Sequence, residues 1–255
     1  EKRYWKNVNE EINNGKIKGE HTGKKSGAAE VVFSKKTTND LLTKSSNVYG
    51  ANIDELLLAG LARAIGRLTG QKMLSVKVEG HGRESIHKPI EIDRTVGWFT
   101  NVYILNLDCI EDCENSIINA KETKRRVPDG GIGYGFVECK KVPDISFNYL
   151  GDFGSDENSS NKYSVGKSYA EENLTDDKII FNGSVLNGEL RFTINSQDSK
   201  FDMSFIEALC KEFKISVNEL AEYCSSSLND DKTISDVYDD ELDESEVDFL
   251  NNLFM

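Results

Sequence analysis

Hydrophobic and polar positions follow two different periods along the chain. In "NIDELLLAGLARAIGRLTG" apolar residues recur every three or four positions, Asn52 is suited to begin a helix, and Gly70 is suited to end it. Gly60 and Gly66 lie inside this helix, and because glycine lowers helix stability we expect a neighbouring element to pack closely there. The same period predicts helices at "YWKNVNEEI", "TTNDLLTKSS" (with Thr37 or Thr38 near its start), "ENSIINAKETKRRV" and "DMSFIEALCKEFKISVNELAEYC".

Other segments alternate with a period of two. In "KMLSVKVEG" one face carries Leu74, Val76 and Val78 and the other carries Ser75, Lys77 and Glu79. The segment "VGWFTNVYILNL" is apolar on both faces, which favours a central strand. Further strands are predicted at "AEVVF", "PDISFNYLG" and, around an Asn187-Gly188 turn, "KIIFNGSVLNGELRFTIN". Because helices and strands alternate without a strict βαβ rhythm, we expect an α/β fold of the α+β sandwich kind, a mixed sheet with helices packed on one side.

Composition narrows the range of partners. The chain has 255 residues and a formal charge of −13, so a nucleic-acid backbone would be repelled. No run of 18 apolar residues occurs, and the first residues lack the features of a signal peptide, so we expect a cytoplasmic protein without a membrane partner. The five cysteines contain no Cys-x-x-Cys pair, which disfavours a metal site and is typical of reduced thiols. The start without Met suggests a piece of a longer chain.

The stretch "VEGHGRE" combines a carboxylate, an imidazole and a guanidinium with two glycines. Glu79 ends a strand on its polar face, beside glycines that let a ligand come close, and a carboxylate there can act as a base. The alternative is a surface Glu paired with Arg83 or Lys77. His81, between the two glycines, can stabilise a turn as readily as it can react. The chain has no His-His pair, so a histidine-based acyl-transfer site cannot be assembled from it.

Two later segments supply further polar groups. "PDGGIGYGF" has four glycines in six residues from Gly130 and predicts a pliable loop near a site, or simply a connection. In "FNYLG", Asn148 and Tyr149 are neighbours in a strand, so they reach one pocket only through a bulge or at the strand end. Asn148 is the better hydrogen-bond donor candidate, whereas Tyr149 shares a face with Ile145 and Phe147 and is expected to be half core.

Together these segments resemble the epimerization domain of non-ribosomal peptide synthetases. The matching blocks, in order, are "DELLLAG" from Asp54, "EGHGRE" from Glu79, "RTVGWFTNVY" from Arg94, "PDGGIGYG" from Pro128 and "FNYLG" from Phe147. The resemblance implies a lobe of the chloramphenicol acetyltransferase kind. That family has an earlier lobe with a His-His-x-x-x-Asp-Gly block, which this sequence lacks. The chain is therefore expected to be the second lobe alone, inactive in isolation.

The resemblance also implies a reaction, which is inversion of the α-carbon of an aminoacyl or peptidyl thioester. No cofactor is bound directly, since the substrate hangs on the phosphopantetheine arm of a carrier domain. Glu79 would be the acid/base group, and Arg83 would orient it or tune its charge. Asn148 and Tyr149 would stabilise the enolate or the hydrogen bonds of the site. Substrate contacts would come from His81, Trp98 and Tyr134, while Glu84 would pair locally. The implied partners are the upstream lobe and the carrier domain.

Two other functions stay open. A condensation lobe that forms amide bonds would share the fold, although it should lack the "EGHGRE" and "FNYLG" blocks. A non-catalytic docking module would bind a carrier domain and nothing more.

The end of the chain is acidic, with ten acidic residues and one lysine from Asn229 to Asp248. We therefore predict a lobe over residues 1–228 and a tail over 229–255. The segment "SDVYDDEL" either folds back onto the lobe or continues the tail. Glu244–Met255 is predicted to form a docking helix for the next synthetase subunit.

Overall fold

The computed structural model describes residues 1–18, 27–45, 48–83, 92, 94–138, 141–154, 176–196, 201–227 and 232–236. The helices are α1 Lys2–Glu11, α2 Lys35–Lys44, α3 Ile53–Thr69, α4 Cys113–Arg125 and α5 Met203–Ser226. The strands are β1 Gly27–Val32, β2 Met73–Gly80, β3 Asn101–Asp108, β4 Ile145–Asp152, β5 Ile179–Leu186 and β6 Glu189–Ser196. Two segments of 3-10 helix span Pro128–Phe136 and Ile234–Asp236.

The predicted helices and the predicted hairpin are confirmed, with one change of cap. Helix α2 begins earlier than expected, because the Ser34 hydroxyl accepts a hydrogen bond from the backbone N–H of Thr37 at 3.1 Å. Ser34, and neither threonine, is therefore its N-cap residue. At the hairpin, Asn187 and Gly188 both have positive φ, as the tight turn between two twisted strands requires.

The six strands form one mixed sheet in the order β1-β6-β5-β4-β2-β3. Strand β4 runs parallel to both β2 and β5, and the other neighbouring pairs are antiparallel. One face carries Leu74, Val76 and Val78 into the main hydrophobic core, together with side chains of α3 and α5. The expected mixed sheet is confirmed, with α3 and α5 packed against this face.

The two glycines of α3 are sites of close packing, as predicted. A Cβ atom on Gly60 would lie 2.5 Å from Cγ2 of Val217 in α5. A Cβ atom on Gly66 would lie 2.8 Å from Cβ of Cys109. Both distances are too short for carbon atoms, so α3 reaches its neighbours only because these positions lack a side chain.

Strand β3 is not central, which corrects the prediction from its apolar pattern. It lies at the edge of the sheet, beside β2. Both of its faces are nevertheless covered, since Tyr103 and Leu105 belong to the main core and Ile104 is 2% exposed on the opposite face. The Pro128–Phe136 segment packs along this strand. A strand at the edge of the sheet can therefore be buried on both of its faces.

The opposite face of the sheet, called the second face below, carries Ser75, Lys77 and Glu79 of β2. At one end, α1 and the turn that follows it cover this face. The side-chain amide of Asn106 donates to the backbone carbonyl of Val8 at 3.0 Å, and the backbone N–H of Ser75 donates to the carbonyl of Gly15 at 2.9 Å. At the other end of β2, Glu79 is exposed on the same face. Along β2, the second face is thus covered near Ser75 and exposed to solvent near Glu79.

Part of the acidic C-terminal region is bound to α4. Asp236 pairs with Lys121 and Arg125, while the Glu122 carboxylate accepts hydrogen bonds from the hydroxyl groups of Thr233 and Ser235. The boundary predicted at residue 228 stays a prediction, and this segment beyond it contacts the lobe. The predicted docking helix, Glu244–Met255, lies outside the described residues.

Candidate functional site

The structure brings together two of the residues predicted for the site, Glu79 and Asn148. Their strands, β2 and β4, are parallel neighbours, with Val78 level with Phe147. The next residues on the two strands, Glu79 and Asn148, therefore lie level with each other on the second face. The side-chain amide of Asn148 donates a hydrogen bond to Oε2 of Glu79 at 3.1 Å. An exposed carboxylate is thus held by a fixed donor at the open end of the sheet.

The two glycines that follow Glu79 leave room for the segment that enters β3. A Cβ atom on Gly82, where φ is +66°, would lie 1.6 Å from the carbonyl oxygen of Phe99. A Cβ atom on Gly80 would lie 2.4 Å from Oδ1 of Asn101. The segment that leads into β3 therefore crosses directly over this turn. The side-chain amide of Asn101 in turn donates to the carbonyl of Gly130 at 2.7 Å, which ties the glycine-rich segment to the same corner.

Arg83 holds the segment that enters β3. Its guanidinium donates to the backbone carbonyls of Ile92 at 2.6 Å and Thr95 at 3.0 Å, and lies 4.2 Å from the ring centroid of Phe99. Its backbone N–H donates to Nδ1 of His81 at 3.0 Å, so His81 stabilises this turn. The orienting role predicted for Arg83 and the substrate contact predicted for His81 stay predictions. Glu84 lies outside the described residues.

Tyr149 is half-buried and packs against the main core. The pairing of β4 with β5 is regular at Asn148 and Tyr149 and shifts only between Tyr149 and Asp152. The irregularity therefore follows both residues, and alternation along the strand places Tyr149 on the core face and Asn148 on the second face. Burial, with smaller contributions from the charges of Asp152 and Asp54, raises the pKa of Tyr149 to about 12. Its phenol is therefore protonated at neutral pH and can donate a hydrogen bond.

The two aromatic residues predicted to contact substrate lie in different surroundings. Trp98 is 90% exposed in the segment held by Arg83. Tyr134 is half-buried, with its ring centroid 5.0 Å from that of Trp5 and its hydroxyl 3.5 Å from Oδ1 of Asn9. Their roles as substrate contacts stay predictions.

A cleft that the sequence did not predict opens on the second face of the sheet, at the level of Lys77. Its volume is about 460 Å³, and its lining includes Lys77, Ile104, Tyr134 and Asp177. Lys77 forms an ion pair with Asp177 across it. The period of two in β2 placed Lys77 on the same face as Glu79, but nothing in the sequence paired it with a residue a hundred positions later.

Two classes of site find no support in the part of the chain that the structure describes. No group of three or more His, Cys, Asp or Glu residues is arranged to hold a metal ion there. Among the same residues, no helix is long and apolar enough to cross a membrane.

Comparison with known families identifies the fold. The model of the family described as "Condensation domain" matches residues 1–242. The chain belongs to the condensation domain family. Glu79, Asn148 and the cleft therefore lie within a condensation-family lobe.

The curated relatives of this condensation-family chain are much longer proteins. It is 30% identical over 273 residues to bacitracin synthase 3 of Bacillus licheniformis, an alignment that covers 100% of this chain and 4% of that protein. It is 33% identical over 231 residues to bacitracin synthase 1 of the same organism, covering 85% of this chain and 4% of that protein. The chain thus spans a small fraction of each relative.

Solved structures share the fold at low sequence identity. The epimerization domain from the third module of tyrocidine synthetase B superimposes with a TM-score of 0.72 at 23% identity, over 89% of this chain and 58% of that chain. Holo-AB3403, a four domain nonribosomal peptide synthetase, superimposes with a TM-score of 0.61 at 11% identity, over 87% of this chain and 19% of that chain. The fold is therefore that of condensation and epimerization domains, which confirms the fold predicted from the sequence blocks.

Proposed function

We propose that this lobe is part of an epimerization domain in a non-ribosomal peptide synthetase. It inverts the α-carbon of an aminoacyl or peptidyl thioester carried on the phosphopantetheine arm of a carrier domain. The observation that carries the proposal is the Glu79–Asn148 pair, because the two residues come from the "EGHGRE" and "FNYLG" blocks and meet at 3.1 Å. These are the blocks that separate epimerization domains from condensation domains in the resemblance described above.

The chemistry assigned to the pair is transfer of the α-proton. Asn148 holds Oε2 of Glu79, and the other oxygen, Oε1, transfers the proton on one face of the α-carbon. Oε1 removes the proton in one direction of the reaction and delivers it in the reverse direction. Loss of this proton leaves an enolate, whose oxygen needs hydrogen-bond donors. The resemblance assigns that role to Tyr149, whose pKa is raised to about 12 so that its phenol is a donor. Because Tyr149 lies on the core face of β4, it would reach the enolate only at the strand end.

Inversion requires proton transfer on both faces of the α-carbon, and this lobe supplies one face. The second face is assigned to a group on an upstream lobe, by resemblance a histidine of the His-His-x-x-x-Asp-Gly block. Large apolar side chains are exposed around the open end of the sheet, among them Trp98 at 90% and Leu150 at 56%. Exposed apolar residues near a polar site are typical of a surface that a partner covers.

The test is solvent deuterium wash-in at the α-carbon of an L-aminoacyl thioester on its carrier domain, with the upstream lobe present. Glu79→Gln removes the base, so we expect exchange to fall by about 10²–10⁴-fold. The control is Glu30→Gln, the same change at an exposed carboxylate of β1. We expect Glu30→Gln to exchange like the wild type, and the 255-residue chain alone to fold without exchanging.

Two results would contradict the proposal. Exchange by Glu79→Gln within a few-fold of wild type would remove Glu79 as the base. Turnover by the isolated chain above its own Glu79→Gln variant would show that the lobe needs no partner.

The matching family model favours a second candidate function, which is condensation. An amide-forming lobe joins a donor thioester to an acceptor amine and needs no exchange of the α-proton. Supplying loaded donor and acceptor carriers separates the two activities. A peptide product without deuterium at the α-carbon would support condensation.

A further inference from the structure

Asn101 connects three of the sequence blocks at the end of the sheet that carries Glu79. It begins β3 and is paired with Gly80, the residue that follows Glu79 in β2. Its side-chain amide donates a hydrogen bond to the backbone carbonyl of Gly130 at 2.7 Å. The side chain therefore links the last paired residue of β2 to the Pro128–Phe136 segment.

The oxygen of the Asn101 side chain lies against Gly80. A Cβ atom on Gly80 would lie 2.4 Å from Oδ1 of Asn101, so the amide occupies space that any larger residue would need. Among the described residues, no donor forms a hydrogen bond to this buried oxygen. An unsatisfied buried acceptor lowers stability, so a side chain kept in this state indicates a role other than stability.

The segment that Asn101 binds has an unusual backbone. Asp129, Gly130 and Gly131 all have positive φ, although Asp129 is not a glycine. A residue with a side chain keeps this conformation only where neighbouring contacts fix it. Gly131 supplies one contact, because a Cβ atom there would lie 2.2 Å from Cδ1 of Tyr103, and the bond from Asn101 supplies another. The carbonyl that Asn101 binds thus belongs to a fixed part of the lobe.

Glu79 lies where β2 has few other supports. The strand ends at Gly80, one residue later. The pairing of β2 with β4 ends at Val78, whereas its pairing with β3 continues through Glu79 to the pair of Gly80 with Asn101. The ends of strands open locally more readily than their centres. The backbone of Glu79 therefore depends on the pair that Asn101 completes.

We propose that Asn101 is a positioning residue for Glu79. It ties the end of the β2–β3 ladder to the Pro128–Phe136 segment and so keeps the Glu79 carboxylate at its hydrogen bond with Asn148. The inference rests on the proposed function, in which Glu79 transfers the α-proton. Because side chains alternate along a strand, Asn101 points to the face opposite Glu79 and acts through the backbone.

The test compares two asparagines of β3 that form the same kind of bond. Asn101→Ala removes the bond to the carbonyl of Gly130, and the control Asn106→Ala removes a bond to the carbonyl of Val8 at the covered end of the sheet. Deuterium wash-in is measured on a loaded carrier domain with the upstream lobe present, and urea denaturation gives the stability of each variant. We expect Asn101→Ala to lower kcat by about 10- to 100-fold with little change in KM, because a small displacement of the base slows proton transfer. Asn106→Ala should lose stability and keep the kcat of the wild type.

Gly80→Ala tests the same contact from the other strand. Its Cβ would displace the Asn101 amide, so we expect a similar loss of kcat. In Gly80→Ala/Asn101→Ala that displacement is already made, and the double variant should lose no more than Asn101→Ala alone. Losses of kcat that multiply would show that the two residues act independently, against the proposal. This pair also decides the question where Asn101→Ala does not fold.

Amide hydrogen exchange separates this inference from the proposed function. The backbone amides of Glu79 and Gly80 are followed by NMR in the 255-residue chain, which needs no catalysis. We expect Asn101→Ala to speed their exchange by about tenfold or more, and Asn106→Ala to leave it near the wild-type rate. If the wild type shows no α-proton exchange, the proposed function fails, and the amide rates still decide whether Asn101 holds Glu79.

Three results would overturn the inference. The first is an Asn101→Ala variant with the kcat of the wild type. The second is a loss of kcat that is equal in Asn101→Ala and Asn106→Ala, since the cause would then be general stability. The third is amide exchange at Glu79 and Gly80 that Asn101→Ala does not change.

Discussion

Asp40 in α2 lies between two lysines, each four residues away. Its carboxylate is 2.8 Å from Nζ of Lys36 and 2.9 Å from Nζ of Lys44, so each oxygen has one cationic partner. Hydrogen bonds from Lys36 and then from Lys44 lower the pKa of Asp40 to about 2. The unfolded chain would titrate at an ordinary aspartate pKa of about 3.9. The native state thus binds this proton less tightly than the unfolded state does.

This arrangement predicts a stability contribution that depends on pH. Because the native pKa is the lower one, the contribution is complete well above pH 4 and is lost as pH falls towards 2. At pH 7 we expect Asp40→Asn to lower the free energy of unfolding by about 1 kcal/mol, as two helical ion pairs would. Urea denaturation at pH 7 and pH 3 measures the difference.

The matched control is Glu207→Gln, at an exposed carboxylate of α5, which should change stability little at either pH. An Asp40→Asn effect of the same size at both pH values would mean that packing, and not charge, is responsible.

At the scale of elements, the contact between α3 and α5 depends on a missing side chain. Alanine at Gly60 would improve helix propensity by about 1 kcal/mol, but its Cβ would lie 2.5 Å from Cγ2 of Val217. Valine has little rotamer freedom in a helix, so the backbones must move apart. Overpacking of this kind lowers stability by about 1–3 kcal/mol.

We therefore expect Gly60→Ala to lower the free energy of unfolding and Gly60→Ala/Val217→Ala to lose less than the sum of the two single variants. Denaturant titration of the four proteins gives the coupling directly. Additive losses would show that the glycine and the valine do not share this contact.

At the scale of the whole molecule, a segment far along the chain completes the lobe. Lys121 is fully buried, donates to the carbonyl of Tyr49 and pairs with Asp236. Burial lowers the pKa of Lys121. Burial alone would raise the pKa of Asp236, but the hydrogen bond from Lys121 and the charge of Arg125 hold it below its ordinary value. Asp236 therefore compensates a cation that the rest of the fold buries.

Removing that partner should be strongly destabilising. We expect Asp236→Asn to lower the free energy of unfolding by about 3–5 kcal/mol, because it leaves Lys121 buried and unpaired. Asp236→Asn/Lys121→Met should recover most of the loss, since the buried charge is then gone. Thermal and urea denaturation check both variants, and a double variant no more stable than Asp236→Asn would mean that the ion pair is not the cause.

The sequence by itself determined the elements and the candidate residues of the site, but not which of these residues meet. Local periodicity and turn chemistry fix the helices, the hairpin at Asn187-Gly188 and the face on which each strand residue points, because these depend on neighbours within a few positions. The two blocks with Glu79 and Asn148 could therefore be assigned to polar strand ends before their contact was known.

Only the tertiary structure decided which distant elements meet. The sequence of β3 is typical of a central strand because both of its faces are apolar. In the structure its neighbours are β2 and the Pro128–Phe136 segment, and the packing of that segment leaves no local signal in the sequence. Three further contacts join positions far apart in the chain. They are the ion pair between Lys77 and Asp177, the ion pair between Lys121 and Asp236, and the close approach of Phe99 to Gly82. Such contacts arise from the shape of the whole packed sheet, which residue spacing does not encode.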